Sequence, residues 1–81
     1  MRVKFPYSCG SYHETCKEFL ELALRECGYS VFDIDQQPEY VDEGFYVFDV
    51  NLHGNYVGLE DERRLLENLG MADFEDVVIE R

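Results

Sequence analysis

Val31-Phe32-Asp33-Ile34-Asp35 and Val47-Phe48-Asp49-Val50-Asn51 are two near-copies of one pattern. Each alternates apolar and polar side chains at the period of a half-buried strand. Both lie in the stretch from Glu26 to Glu62, which holds ten carboxylates and neither Lys nor Arg. The two copies are expected to share one sheet, with acid on one face and apolar side chains on the other. The flanking sequence has to supply the other strands of that sheet and the layer that covers it.

Upstream, Arg2-Val3-Lys4-Phe5-Pro6-Tyr7 also alternates, with Val3 and Phe5 on one face and Arg2 and Lys4 on the other. Pro6, which has no N–H to give a ladder, closes this first strand. Ser8-Cys9-Gly10 reads as a turn. Ser11-Tyr12-His13-Glu14 fits a capping box and predicts a helix from about Tyr12 to Cys27. Tyr12, Cys16, Phe19, Leu20, Ala23, Leu24 and Cys27 form its apolar stripe, and Gly28 is placed to end it.

Downstream, the first copy predicts a strand over Tyr29 to Asp35 with Phe32 and Ile34 inward. Gln36 to Gly44 is a long hairpin connection, and the second copy predicts a strand over Phe45 to Leu52 that buries Tyr46, Phe48, Val50 and Leu52. His53-Gly54-Asn55 is a turn, and Tyr56-Val57 adds at most a brief strand. A second helix is predicted from about Leu59 to Leu69. It turns Leu59, Leu65, Leu66 and Leu69 inward, sets Glu60 and Asp61 at the positive end of its dipole, and stops at Gly70. Asp76 to Glu80 reads as a last strand. The order β-α-β-β-α-β predicts a small α+β, ferredoxin-like sandwich, an antiparallel sheet with two helices on one face. The alternative, β-α-β-β-β-α, makes Tyr56-Val57 a full strand and the C-terminal strand an appendage.

The chain of 81 residues reads as a single domain, and its 46% hydrophobic content is that of a folded one. Its 18 acids against 7 bases give a net charge of −11. That charge excludes direct binding of nucleic acid or anionic membrane through the bulk surface and favours basic proteins as partners. Adaptation to high salt fits three cysteines and many large aromatics less well. Three cysteines cannot all pair within one chain. Met1-Arg2-Val3-Lys4 runs directly into a strand with no apolar leader, so a reducing cytoplasm is the expected location. No stretch is long enough to span a bilayer.

Cys9, His13 and Cys16 are zinc-ligand types, but the knuckle spacing and a fourth ligand are missing. Cys16 and Cys27 lie in the apolar stripe, where a thiol acts as a small hydrophobe. Cys9 before a helix, with His13 as base, lacks any companion oxyanion site. Glu60-Asp61-Glu62 and Asp73-x-Glu75-Asp76 lack the spacing of a calcium loop. No catalytic residue and no cofactor is assigned, and a non-enzymatic role is expected.

Asp33, Asp35, Asp49 and Asn51 share one sheet face if the two copies pair. Alternate residues there are about 6.6 Å apart, comparable to successive backbone phosphates. Two readings stay open for this face: Arg2 and Lys4 neutralise it internally, or it meets a basic partner. Glu39, Tyr40, Asp42 and Glu43 in the connection have no cation close in sequence, which suits contact with a basic surface. With Glu60 and Asp61, these are the expected partner-binding residues. In size and acidity the chain resembles small phage inhibitors that imitate nucleic acid, such as anti-CRISPR and anti-restriction proteins. The resemblance is one of composition and assigns no residue. It implies an inhibitor that docks as a nucleic-acid mimic on a basic host protein or nucleoprotein complex. An immunity or antitoxin protein against a basic toxin uses the same physics. A Cys/His metal- or thiol-dependent regulator is the reading of a different class.

Overall fold

Val3 and Phe5 are wholly buried while Arg2, Lys4 and Pro6 are not, so the alternation of the first strand is retained on folding. The computed structural model describes residues 1–39, 41–53 and 58–80, with Leu59 by its backbone alone. β1 (Arg2–Pro6) runs into a 3-10 turn (Tyr7–Cys9). α1 (His13–Glu26), β2 (Asp33–Gln36), β3 (Phe45–Asn51), α2 (Leu59–Met71) and β4 (Val78–Glu80) follow. The strands lie in the order β2-β3-β1-β4, and every neighbouring pair is antiparallel. Among the described residues this is an α+β fold with one four-stranded antiparallel sheet and two α-helices. β4 is hydrogen-bonded to β1 and is no appendage. Tyr56-Val57, on which the alternative order depended, lies outside the described residues.

One core joins the layers. Val3 and Phe5 of β1 meet Phe48 and Val50 of β3, and Cys16, Leu20, Ala23 and Leu24 of α1 pack on them with Leu65 and Leu69 of α2. The Phe5 ring meets Phe48 and Phe74 edge-on, at centroid distances of 5.7 and 5.3 Å. Among the described residues no helix is long and apolar enough to cross a membrane.

Five expectations are corrected. Ser11 does not cap α1: Tyr12 is the N-cap, extended at φ −76° and ψ 157°, with no side-chain cap bond. The first helical bond runs from the Cys16 N–H to the Tyr12 carbonyl, so Ser11 lies one position outside the helix. Tyr12, placed in the apolar stripe by its spacing, is 80% exposed for the same reason.

β2 begins at Asp33 rather than Tyr29 because its partner runs out. Asp33 already pairs with Asn51, the last residue of β3, and the chain then turns at His53 with φ 52°. Val31 is left exposed, and Phe32 is half-buried with the Arg25 guanidinium 5.7 Å from its ring centre. α2 passes through Gly70 to Met71, and the left-handed residue that follows is Asp73, φ 66°. Leu66 lies at the edge of the stripe and is exposed.

Candidate functional site

Antiparallel register places the polar positions of all four strands in rows across the face opposite the helices. Asp35 of β2 stands opposite Asp49 of β3, Asp49 opposite Arg2 of β1, and Arg2 opposite Glu80 of β4. Two like charges directly opposite each other destabilise a strand pair. Arg2 relieves this one by a forked contact, Nε to Asp49 Oδ1 at 2.8 Å and an Nη to Oδ2 at 3.2 Å. Those bonds, with the Arg2 charge, hold the Asp49 carboxyl below the usual carboxylate range despite partial burial. The same bonds push the Arg2 guanidinium up.

Lys4, one step along β1 on the same face, is engaged twice. Its Nζ lies 2.6 Å from Asp42 and 2.5 Å from Glu80, and hydrogen bonds to Asp42 first and Glu80 second push its ammonium up. The connection between β2 and β3 is therefore not free of cations as its sequence suggested, because Asp42 folds back onto the sheet. Further bonds hold this connection: Gln37 N–H to the Val47 carbonyl (2.8 Å), Tyr7 N–H to the Gly44 carbonyl (2.9 Å) and Tyr7 OH to the Glu39 carbonyl (3.3 Å). Val47 is 1% exposed although its parity directs it away from the helices, a burial the alternation did not foretell.

Two further groups on this face escaped sequence reasoning. Glu80 completes the Lys4 pair, and only the parity of β4 hinted at it. His53 Nε2 sits 2.8 Å from Asp33 Oδ2. The turn that brings it there is stapled by the Asn51 side chain, whose Oδ1 accepts from the His53 N–H at 2.9 Å.

The other expected contacts divide by position. Asp33, Asp35, Glu39 and Glu43 are exposed, while Asp42 and Asp49 are half-buried. Glu60 and Asp61 start α2, in the helical layer, and do not join this face. Asp61 accepts a hydrogen bond from the Tyr29 hydroxyl at 3.2 Å, which, behind burial, helps push that phenol up. Tyr40 lies outside the described residues.

Among the described residues no group of three His, Cys, Asp or Glu is arranged to hold a metal ion. His13 instead faces the Tyr46 ring at 5.8 Å. In the helical layer Phe19, Leu22, Leu69 and Met71 help to line a groove of about 230 Å³, and among the described residues that line it the charged one is Glu26. It brings together no pair of titratable groups and carries no catalytic reading.

The Arg2–Asp49 pair sets a pH dependence with a definite sign. A carboxylate whose folded pKa is lowered adds stability above its unfolded value, near 3.8, and that stability is lost as pH falls through the folded value. Thermal melts of wild type and Arg2→Met should therefore differ at about pH 6, with the variant less stable, and converge toward about pH 2. A gap of the same size at both pH values contradicts the pairing.

Compared with protein-family models, with curated proteins and with solved structures, the chain matches none.

Proposed function

We propose that this is a non-enzymatic acidic binding protein that docks on a basic surface of another protein, with Asp33, Asp35, Glu39 and Glu43 as its main charged contacts. The observation that supports this reading is the imbalance left after internal pairing. Arg2 and Lys4 take up Asp49, Asp42 and Glu80. Among the described residues, exposed Asp35, Glu39 and Glu43 have no cation within ion-pair distance. Unpaired like charges on a sheet face and its adjoining connection repel one another, and a cationic partner relieves that repulsion.

The finer reading is an inhibitor of the anti-CRISPR or anti-restriction type, in which these carboxylates occupy phosphate positions on a nucleic-acid-binding protein or nucleoprotein complex. Its support is the regular placement of Asp33 and Asp35 on one strand, about 6.6 Å apart, and the acidic connection beside them. Tyr40 enters this reading from the sequence alone.

The test is capture of partners from lysate with and without nuclease, followed by a salt titration of the isolated pair. Association through these acids weakens by about tenfold or more between low and physiological salt, because the opposite charges are screened. For the mimic, the partner's own nucleic acid competes. Binding that salt leaves unchanged removes both readings; salt-sensitive binding without such competition removes only the finer one.

A further inference from the structure

We propose that Cys9 and Cys16 form a redox pair that closes to an intramolecular disulfide when the protein meets a small oxidised disulfide. The two sulfurs lie 4.0 Å apart, already in contact, and both cysteines are free thiols. The topology makes this meeting. Cys9 ends the 3-10 turn after β1, and Gly10, left-handed at φ 77°, turns the chain back so that Cys9 lies against the first turns of α1. Cys16 projects from α1 into the core with no exposed surface, while Cys9 is half-buried. A disulfide of about 2.05 Å requires the sulfurs to close by about 2 Å. Torsion of the Cys9 side chain and a small shift of a three-residue turn can supply that movement. Cys27 lies at the far end of α1, with its sulfur accepting from Asn68 Nδ2 at 3.8 Å, and takes no part.

The exchange balances without any metal. The Cys9 thiolate attacks one sulfur of the oxidised disulfide, forming a mixed disulfide and releasing one thiolate. Cys16 then gives up its proton and attacks the Cys9 sulfur, forming the Cys9–Cys16 bond and releasing the second thiolate. Two protein thiols are oxidised and one small disulfide is reduced to two thiols. Burial, first, and the neighbouring Cys9 push the Cys16 thiol up to about 12. Cys9 is therefore the entry point and Cys16 the resolving partner. The bond also has a structural consequence. It pins the 3-10 turn to α1, and that turn begins with Tyr7, whose N–H and hydroxyl hold Gly44 and Glu39 of the β2–β3 connection. Oxidation therefore fastens the base of the acidic connection. This inference does not depend on what the acids bind.

The test is equilibration of the full-length protein in buffers of oxidised and reduced glutathione, with thiol counting, intact mass and peptide mapping. Two of the three thiols should be lost, with a mass lower by two hydrogens, a Cys9–Cys16 crosslinked peptide and Cys27 free. Cys16→Ser should stop at a glutathione adduct on Cys9, and Cys27→Ser should behave as wild type. Amide exchange at Tyr7 should slow in the oxidised protein, and an unchanged rate overturns the link to the connection. A wild-type protein that stops at the mixed disulfide, links two chains through Cys9, or keeps all its thiols overturns the pair itself.

Discussion

Phe5→Ala should lower stability by about 3–5 kcal/mol, the range for deleting a large buried side chain together with the cavity it leaves. Small domains bury a modest fraction of their surface and hold a thin margin, so this loss removes most of it. Phe5 is 0% exposed on the strand paired on both sides, and its ring meets those of Phe48 and Phe74 edge-on. Those rings belong to β3 and to the segment after α2, so one truncation opens contacts among three parts of the chain. Phe19, which helical spacing places in the apolar stripe of α1 with Tyr12, is half-buried and lines the groove on the helical layer. Phe19→Ala should accordingly cost about half as much. Urea denaturation of both variants decides the order. A Phe5→Ala protein within about 1 kcal/mol of wild type would mean that the ring does not fill the core.

Much of this architecture could be read from parity alone. The alternation in Arg2–Pro6 gave the inward Val3 and Phe5, and it also put Arg2 and Lys4 on the face of Asp49, where they are found. Internal neutralisation by Arg2 and Lys4, one of the two open readings, is realised by Arg2 for Asp49, while Lys4 pairs with Asp42 and Glu80 instead of the strand aspartates. Parity could not show that the β2–β3 connection folds back to bring Asp42 onto Lys4, because residues 38 positions apart in sequence carry no local signal of contact. Nor could it show how little of the first copy is paired. Val31 and Phe32 have good strand residues, but a strand exists only where a neighbour offers a ladder, and β3 ends at Asn51. Helix ends failed for a related reason. Ser11 has the right chemistry for a cap, yet the turn through Gly10 decides where the helix begins. The 4.0 Å approach of Cys9 and Cys16 is likewise a product of that turn, invisible in their spacing.

Asp35→Lys with Glu43→Lys should weaken binding to a basic partner by about a hundredfold, or about 3 kcal/mol. Glu18→Lys with Glu67→Lys, on the exposed sides of α1 and α2, should change it by no more than about threefold. The two doubles alter net charge equally, so the comparison isolates position from overall charge. Asp35 and Glu43 are chosen because both are exposed and no cation among the described residues pairs with them. Asp35 also stands opposite Asp49, so its reversal should relieve a cross-strand repulsion and leave the fold intact or firmer. Asp42 is left out for the opposite reason. Its carboxylate lies 2.6 Å from Lys4 Nζ, and a lysine there would set two ammonium groups together at the anchor of the connection. Asp42→Lys should therefore lower the melting temperature, which would confound any loss of affinity with loss of fold. Isothermal titration of the two doubles against one captured partner, at two salt concentrations, separates the outcomes. Equal losses from both doubles would mean that net charge alone, rather than this surface, draws the partner. No loss from either, with binding insensitive to salt, would remove the acids from the interface and leave them a role in keeping the molecules apart in solution.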